Sequence, residues 1–186
     1  FDKYSLDNKQ LKELSNYAKK IGISFSSTPY SEEEVNFLVN KCNPAFIKIA
    51  SMDLNNFPFL KFIAKKKVPV ILSTGMGTIK EIESAVKLLI SNGLKKICIL
   101  HCVSLYPLDH KIANLKNITM LRKKFKKIPI GYSDHSIGSS LPILSVALGA
   151  CIIEKHFTLD NKKIGFDNNM ATEPNDMKTL TSECLI

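Results

Sequence analysis

Two stretches of sequence decide the fold: Ile128–His135 has the sequence IPIGYSDH, and Cys151–Phe157, one unit later, has the sequence CIIEKHF. Each is a short apolar run that ends in polar residues able to bind ligands. Such runs are typical of buried parallel strands whose last residues leave the core. If both strands belong to one parallel sheet, their histidines emerge at the same edge. We therefore predict that His135 and His156 bind a divalent metal ion there.

The residues beside the two histidines are also polar. Side chains alternate along a strand, so Ser133 shares a face with His135, and Glu154 shares a face with His156. A single histidine at a strand end is more often a structural residue held by hydrogen bonds. The spacing alone leaves that alternative open.

The composition indicates one sizeable globular domain. The chain has 186 residues, of which 45% are hydrophobic, enough for a well-buried core. No apolar stretch approaches the ~20 residues that span a bilayer, and the first ten residues lack the layout of a signal peptide. We therefore expect a cytoplasmic protein without a membrane partner. The five cysteines contain no CxxC pair, which argues against a disulfide framework or a structural zinc site.

The net charge of +9 does not indicate a nucleic-acid partner. Arg122 is the only arginine, tryptophan is absent, and the lysines are scattered. Surfaces that bind nucleic acid depend on arginine and exposed aromatic residues. We predict no nucleic-acid binding, and a small part of the charge favours an anionic substrate.

Apolar runs and helical patterns alternate along the whole chain. Ser31 with Glu34 and Thr78 with Glu81 are capping boxes that begin two of the helices, and Pro174 begins the last. The remaining predicted helices lie at Ser5–Ile21, with Ser5 as the cap, Pro58–Lys66, within Asn114–Lys126 and at Leu141–Leu148. The six predicted strands are Ile23–Thr28, Phe46–Ser51, Val68–Thr74, Ile97–Ser104, Ile128–Asp134 and Cys151–Phe157.

Regular alternation predicts an α/β fold with a parallel sheet, which is either an open doubly wound sheet or a (β/α)8 TIM barrel. In an open sheet only the strands near the switch point need polar ends, whereas here all six end in polar residues. That pattern favours the barrel. Because a barrel needs eight strands and ~250 residues, we expect that about two βα units are missing from the front.

Several motifs in fixed order then identify a family. The sequence contains KIASMDLNNFPFL, ILSTGM, LHCVSLYP, GYSDH, ALGA and EKHFTLD, and in these it resembles the sialic acid synthase family, which includes N-acetylneuraminate synthase and its legionaminic and pseudaminic acid relatives. The resemblance implies a (β/α)8 barrel that condenses phosphoenolpyruvate with an N-acetylated hexosamine such as N-acetylmannosamine. It also implies a divalent metal, Mn²⁺ or Mg²⁺.

The resemblance assigns roles to individual positions. The family's metal-binding histidines correspond to His135 and His156. Phosphoenolpyruvate carries a phosphate and a carboxylate, so its site needs a lysine charge and hydroxyl donors. The positions that correspond to that site are Thr28, Lys48, Ser51 and Ser133.

Other matched positions lie near the amino sugar or carry a carboxylate. Tyr106 and Asp167 correspond to positions near the sugar, and Ser104 stands where several relatives carry asparagine. Asp53 stands where some bacterial members carry glutamate. Asp53 and Asp167 are candidates for orienting sugar hydroxyls or moving a proton, and Glu154 is a third candidate catalytic carboxylate.

The resemblance also indicates which parts the chain lacks. We expect a partial synthase barrel over residues 1–186, without the first two strands and without the C-terminal antifreeze-like domain that in relatives reaches into the partner's site. The full-length enzyme is expected to be a homodimer, and the chain alone to have little or no synthase activity.

Two alternatives remain open. One is a synthase of 3-deoxy-octulosonate or heptulosonate phosphate, which would need an arginine-rich second phosphate pocket. The other is a non-catalytic remnant of a synthase. The sequence does not distinguish the precursors of sialic, legionaminic and pseudaminic acids as the amino-sugar substrate.

Overall fold

The computed structural model describes residues 5–184, in which seven α-helices and five β-strands follow one another along the chain. The chain divides into two compact units. The first consists of Phe1–Leu72 and Thr78–Ile97, and the second of Ser73–Gly77 and Cys98–Ile186. Across the part of the chain that is described, every helix is too short or too polar to cross a lipid bilayer.

The first unit builds its core around a pair of parallel strands. Ile47 of one strand lies opposite Val70 of the other, and Ile49 lies opposite Leu72. Apolar side chains of the helices in this unit, such as Leu60 of α3, are fully buried. The elements are α1 (Asn8–Lys20), α2 (Glu32–Phe37), which continues into a π-helical turn (Leu38–Cys42), β1 (Ile47–Ile49), α3 (Phe57–Lys65), β2 (Val70–Ser73, its last residue assigned to the second unit) and α4 (Ile79–Ser91).

The second unit is organised around a central strand, β4, that pairs in parallel with a strand on each side. Ile130 of β4 lies opposite Ile99 of β3, and Tyr132 lies opposite Ile153 of β5. All five residues of β4 are buried, so both of its faces need partners. The elements are β3 (Ile97–Cys102), α5 (Lys116–Lys124), β4 (Ile130–Asp134), α6 (Ser140–Ala147), β5 (Ile153–Lys155) and α7 (Pro174–Cys184).

Capping residues begin several helices as the sequence predicts. Thr78 accepts a hydrogen bond from the amide of Glu81 while the Glu81 carboxylate accepts from the amide of Thr78, so the capping box before α4 is confirmed. Ser31 caps α2, because its hydroxyl accepts a hydrogen bond from the amide of Glu34. The Glu34 carboxylate accepts from the amide of Tyr30 rather than from that of Ser31, so only half of the predicted capping box is formed. Pro174 begins α7.

Two predictions about the first unit are wrong. The first helix is capped by Asp7 rather than Ser5, because Asp7 and Gln10 form both halves of a capping box. The stretch Ile23–Thr28 is extended but forms no strand among the described residues. Its carbonyls accept two backbone hydrogen bonds, from Ala45, which precedes β1, at 3.0 Å and from Lys48 of β1 at 3.2 Å. In a parallel ladder each strand both donates and accepts backbone hydrogen bonds, whereas in these two bonds the stretch is the acceptor each time.

Candidate active site

The two predicted metal-binding histidines come together at the carboxyl end of the second unit's strands. His135 directly follows β4, and His156 directly follows β5. The last paired residues of these strands, Asp134 and Lys155, lie opposite each other, so the histidines leave the sheet side by side. Their ring centroids are 5.5 Å apart, with the ring planes at 65°.

The separation of the two rings is compatible with one shared metal ion. An ion about 2.1 Å from a ring nitrogen lies roughly 3.3 Å from that ring's centroid. Two imidazoles bound to the same ion at about 90° to 180° therefore have centroids roughly 4.7 to 6.6 Å apart, and the observed 5.5 Å lies within that range. Within residues 5–184 no group of three or more His, Cys, Asp or Glu side chains is placed to hold a metal. The pair thus fits an ion whose other ligands are water or substrate.

The hydrogen bonds of His135 fix its tautomer. Its Nδ1 lies 2.8 Å from the carbonyl oxygen of Val103, and because a carbonyl only accepts, Nδ1 carries the proton and donates. The lone pair of Nε2 is therefore available to a ligand. The carbonyl of His135 accepts from the amide of Leu108 at 2.8 Å, which holds the backbone at this position. The side chain is buried.

The environment of His156 favours the neutral imidazole. Burial lowers its pKa most, and the neighbouring His135 lowers it further, while the carboxylates of Asp167 and Glu154 raise it by less. Neutral imidazole is the form that binds a metal. The carbonyl of His156 accepts from the amide of Thr172 at 2.8 Å.

Two predicted substrate-binding residues, Tyr106 and Ser133, lie beside the two histidines. The ring of Tyr106 lies 4.1 Å from the ring of His135 and 6.1 Å from that of His156, measured between centroids, and about half of the residue is exposed. The hydroxyl of Ser133 donates to Oε1 of Glu154 at 2.8 Å, across β4 and β5. Both contacts belong to the face of the strands that carries the histidines.

The other predicted residues of the second unit lie on loops after the strands. Ser104 follows β3 and is half-buried, and Asp167 precedes a single 3₁₀ turn at Asn168–Met170. The carboxylate of Asp167 is near enough to His156 to raise its pKa.

The predicted residues of the first unit occupy β1 and the turns beside it. Lys48 is the central residue of β1, and Ser51 begins a 3₁₀ turn that ends at Asp53. Asp53 is buried: its Oδ1 accepts from Asn56 at 3.1 Å, whereas its Oδ2 has no hydrogen-bond partner. Thr28 is partly buried in the extended stretch that precedes α2.

The sequence analysis did not single out two polar features of the second unit. The hydroxyl of Ser73, at the end of β2, is buried without a hydrogen-bond partner, which suits a group that meets a ligand. Behind the histidines, Asp134 and Lys155 form a buried ion pair. Strand alternation was the available signal, because the residue before each histidine must face away from the histidine side.

A large cavity lies at the other end of β4. It has a volume of about 730 Å³ and is lined by residues that precede or begin that strand, including Ile128 and Ile130, together with Arg122 and three lysines. The histidines follow the last residue of β4. The cavity is therefore separate from the candidate active site.

Comparison with known proteins gives the fold class. The chain superposes on a truncated 3-deoxy-D-arabino-heptulosonate 7-phosphate synthase from Thermotoga maritima with a TM-score of 0.82 at 22% identity, covering 97% of the chain and 71% of that structure. At this identity the likeness concerns the fold alone. The predicted α/β fold, a (β/α)8-type barrel present in part, is confirmed.

Closer relatives are acid synthases. N,N'-diacetyllegionaminic acid synthase of Campylobacter jejuni is 44% identical over 183 residues, covering 97% of the chain and 54% of that protein. The crystal structure of N-acetylneuraminic acid (sialic acid) synthetase from Leptospira borgpetersenii superposes with a TM-score of 0.93 at 38% identity, covering 97% of the chain and 62% of that structure. The chain thus spans about half the length of the Campylobacter jejuni synthase. A sequence profile of the NeuB family matches residues 1–185, and the chain belongs to this family.

Proposed function

We propose that the chain carries the metal site and much of the substrate site of a nonulosonic acid synthase. The reaction is the condensation of phosphoenolpyruvate with an N-acetylated hexosamine, with release of phosphate. The observation that carries the proposal is the pair of imidazole rings whose centroids lie 5.5 Å apart, one of them held by a hydrogen bond to the carbonyl of Val103. The names of the relatives, a legionaminic acid synthase and a sialic acid synthetase, support the product class.

The bond changes define what the residues must do. Carbon 3 of phosphoenolpyruvate attacks the aldehyde carbon of the open-chain sugar, a proton reaches the resulting alkoxide, water adds at carbon 2, and phosphate leaves by cleavage of its bond to that carbon. A divalent ion, Mn²⁺ or Mg²⁺, held by His135 and His156 would polarise the aldehyde oxygen. Two protein ligands leave positions for water and sugar.

Hydroxyl and ammonium groups are proposed to bind phosphoenolpyruvate. Lys48 supplies a positive charge from the middle of β1. The unpartnered hydroxyl of Ser73 supplies a donor, and the hydroxyl of Ser133, which donates to Glu154 here, would turn to the ligand to supply another. Thr28 and Ser51 are proposed to add further hydroxyls.

Sugar recognition is assigned to polar side chains of the loops that follow the strands. Tyr106 lies against both imidazoles and is half exposed, so its ring covers one side of the site. Asp167 lies near His156, and Ser104 follows β3. Asp53, Asp167 and Glu154 are the candidate groups for orienting hydroxyls or moving the proton. Glu154 already accepts the hydroxyl of Ser133, which holds its carboxylate in place.

The alternative of a 3-deoxy-heptulosonate phosphate synthase is supported by the fold alone. Its second phosphate pocket would need arginine, and the single arginine, Arg122, donates to the carbonyl of Leu148 and lines the cavity at the other end of β4. That placement favours the nonulosonic acid synthase. The homodimer, the cytoplasmic location and the low activity of the chain by itself stay predictions.

Metal binding and turnover test the proposal separately. Mn²⁺ is titrated into the chain and free Mn²⁺ is followed by electron paramagnetic resonance. We expect one site, abolished by His135→Ala and by His156→Ala but not by His110→Ala, an exposed histidine control. Phosphate release from phosphoenolpyruvate is then measured with N-acetylmannosamine and its diacetamido analogues in the full-length enzyme, because the chain by itself is expected to have little activity. Unchanged Mn²⁺ binding in both site variants would refute the metal site, and release only with a pentose or tetrose phosphate would refute the product class.

A further inference from the structure

The clearest feature outside the proposed ligands is an ion pair buried directly behind them. Nζ of Lys155 lies 2.5 Å from Oδ2 of Asp134, and the two side chains are only 2% and 0% exposed. The pair joins the last residues of β4 and β5, which lie opposite each other in the sheet. Each member is the residue immediately before one of the histidines.

Both charged groups make further hydrogen bonds beside the ion pair. Asp134 accepts from the hydroxyl of Tyr132 at 3.0 Å, from the hydroxyl of Ser136 at 2.9 and 3.0 Å, and from the amide of Ser136 at 3.2 Å. Lys155 also donates to the carbonyl oxygen of Ser136 at 2.7 Å. Lys155 thus bonds residues on both sides of His135, and the loop that carries this histidine is tied to β5.

The ion pair and the site occupy opposite faces of the same two strands. Ser133 and Glu154 form a cross-strand hydrogen bond on the face of the histidines, and one residue further Asp134 and Lys155 form the ion pair on the other face. The ends of β4 and β5 are therefore fastened on both faces just before the histidines begin.

The two histidines differ in how their rings are held. The ring of His135 is bonded to Val103. Among the described residues no hydrogen bond is made by the ring of His156, whose backbone carbonyl is bonded by Thr172. The direction of the second ring therefore depends on where the end of β5 lies, and Lys155 is the residue that fixes that end.

Stability is a poor explanation for this pair. A buried ion pair loses in desolvation about as much as it gains in attraction, and apolar residues of similar size often do as well. What it supplies is geometry, because each charge must keep defined partners. We infer that Asp134 and Lys155 are positioning residues that set the distance between His135 and His156, and hence the affinity of the metal site; this inference rests on the proposed function.

The test compares the Mn²⁺ affinity of the wild-type chain with that of the double variant Asp134→Asn/Lys155→Met. Asparagine keeps an oxygen for Tyr132 and Ser136, and methionine keeps the length of the side chain without its charge, so no buried charge is left alone. The control is Ser145→Ala, which removes a different buried hydrogen bond of the same unit, from Ser145 to the carbonyl of Pro142 on α6. A second readout, made without metal, is the nuclear Overhauser effect between the two imidazole rings.

We expect the double variant to bind Mn²⁺ about 10- to 100-fold more weakly, as is usual when metal ligands lose their hydrogen-bond partners. It should also lose most of the nuclear Overhauser effect between the two imidazole rings. Ser145→Ala should match the wild type in both. Wild-type affinity and an unchanged ring contact in the folded double variant would overturn the inference. If that variant fails to fold, Lys155→Arg is tested instead. Arginine retains the charge, but its larger guanidinium group displaces the end of β5, so we expect Mn²⁺ binding to be about tenfold weaker. Wild-type Mn²⁺ affinity in Lys155→Arg would overturn the inference.

Failure of the proposed function gives a different result. If the wild type binds no Mn²⁺, or binds it as tightly after His135→Ala, the metal site itself is wrong. If His135→Ala abolishes binding and the double variant does not weaken it, the metal site stands and only the positioning role is lost.

Discussion

Replacing Gly131 by alanine tests how tightly the central strand of the second unit is held between its neighbours. Gly131 lies in β4 on the face of Ser133 and His135. A Cβ atom added there would lie 2.5 Å from the carbonyl oxygen of Ile152 and 2.5 Å from Cδ2 of Leu100. Both distances are shorter than carbon atoms tolerate. The leucine methyl can rotate away, whereas the carbonyl oxygen is part of the backbone.

The cost follows from what that carbonyl does. The oxygen of Ile152 accepts the hydrogen bond of the Tyr132 amide at 2.8 Å, so it cannot move without weakening the pairing of β4 with the residues before β5. Overpacking of this kind costs about 1–3 kcal/mol, and a weakened backbone hydrogen bond about 0.5–1.5 kcal/mol. We expect the free energy of unfolding of Gly131→Ala to fall by roughly 1.5–4.5 kcal/mol.

The assay is urea denaturation combined with amide hydrogen exchange. Exchange at Tyr132 should accelerate more than at the other amides of β4, because its acceptor is the displaced atom. Gly22→Ala is the control: nothing lies within 4 Å of an added Cβ there, but φ is +77°, so its cost is backbone strain alone, and Tyr132 should be unaffected. A loss of stability below about 0.5 kcal/mol in Gly131→Ala, with unchanged exchange at Tyr132, would refute the reasoning.

Three further predictions concern protonation and capping. Burial lowers the pKa of His101, outweighing the hydrogen bond to Ala113 that raises it, so the native state binds this proton less readily than the unfolded state. The free energy of unfolding should fall as the pH drops below about 6.5, and less steeply in His101→Gln; equal slopes in urea titrations would contradict this. Because the pKa of His156 is also lowered, proton competition with Mn²⁺ should begin below about pH 6.5, and at still lower pH in Glu154→Gln; an onset above that value would be inconsistent with the burial of the ring. Thr78→Ala should lower the free energy of unfolding by about 1 kcal/mol and Thr78→Ser by much less, as thermal denaturation would show; equal losses would mean that the cap contributes nothing.

The strand ends that carry the histidines could be predicted because burial, complete for β4 and partial for β5, leaves a strong mark on the sequence. In IPIGYSDH and CIIEKHF the apolar run stops where the sheet ends, and β4 and β5 lie within these stretches. The capping box at Thr78 and Glu81 was equally visible, since both partners lie within one helical turn. These signals are local, and each follows from only a few consecutive residues.

The remaining features depend on partners far away in the sequence. The tautomer of His135 is set by the carbonyl of Val103, which no spacing rule connects to it. Ile23–Thr28 has the composition of a strand, but the number of hydrogen bonds that it makes depends on its neighbours. The ion pair of Asp134 and Lys155 requires the register of β4 against β5.

That register links the two faces of the strands. Side chains alternate, so a slip of β5 by one residue would turn Lys155 toward the histidine face and His156 away from it. The slip would leave the carboxylate of Asp134, which is fully buried, without its cation. A buried charge that loses its partner costs about 3–5 kcal/mol, enough to make the slipped pairing rare. The same contact that brings little stability in the correct register therefore excludes the register in which the two imidazoles could not meet.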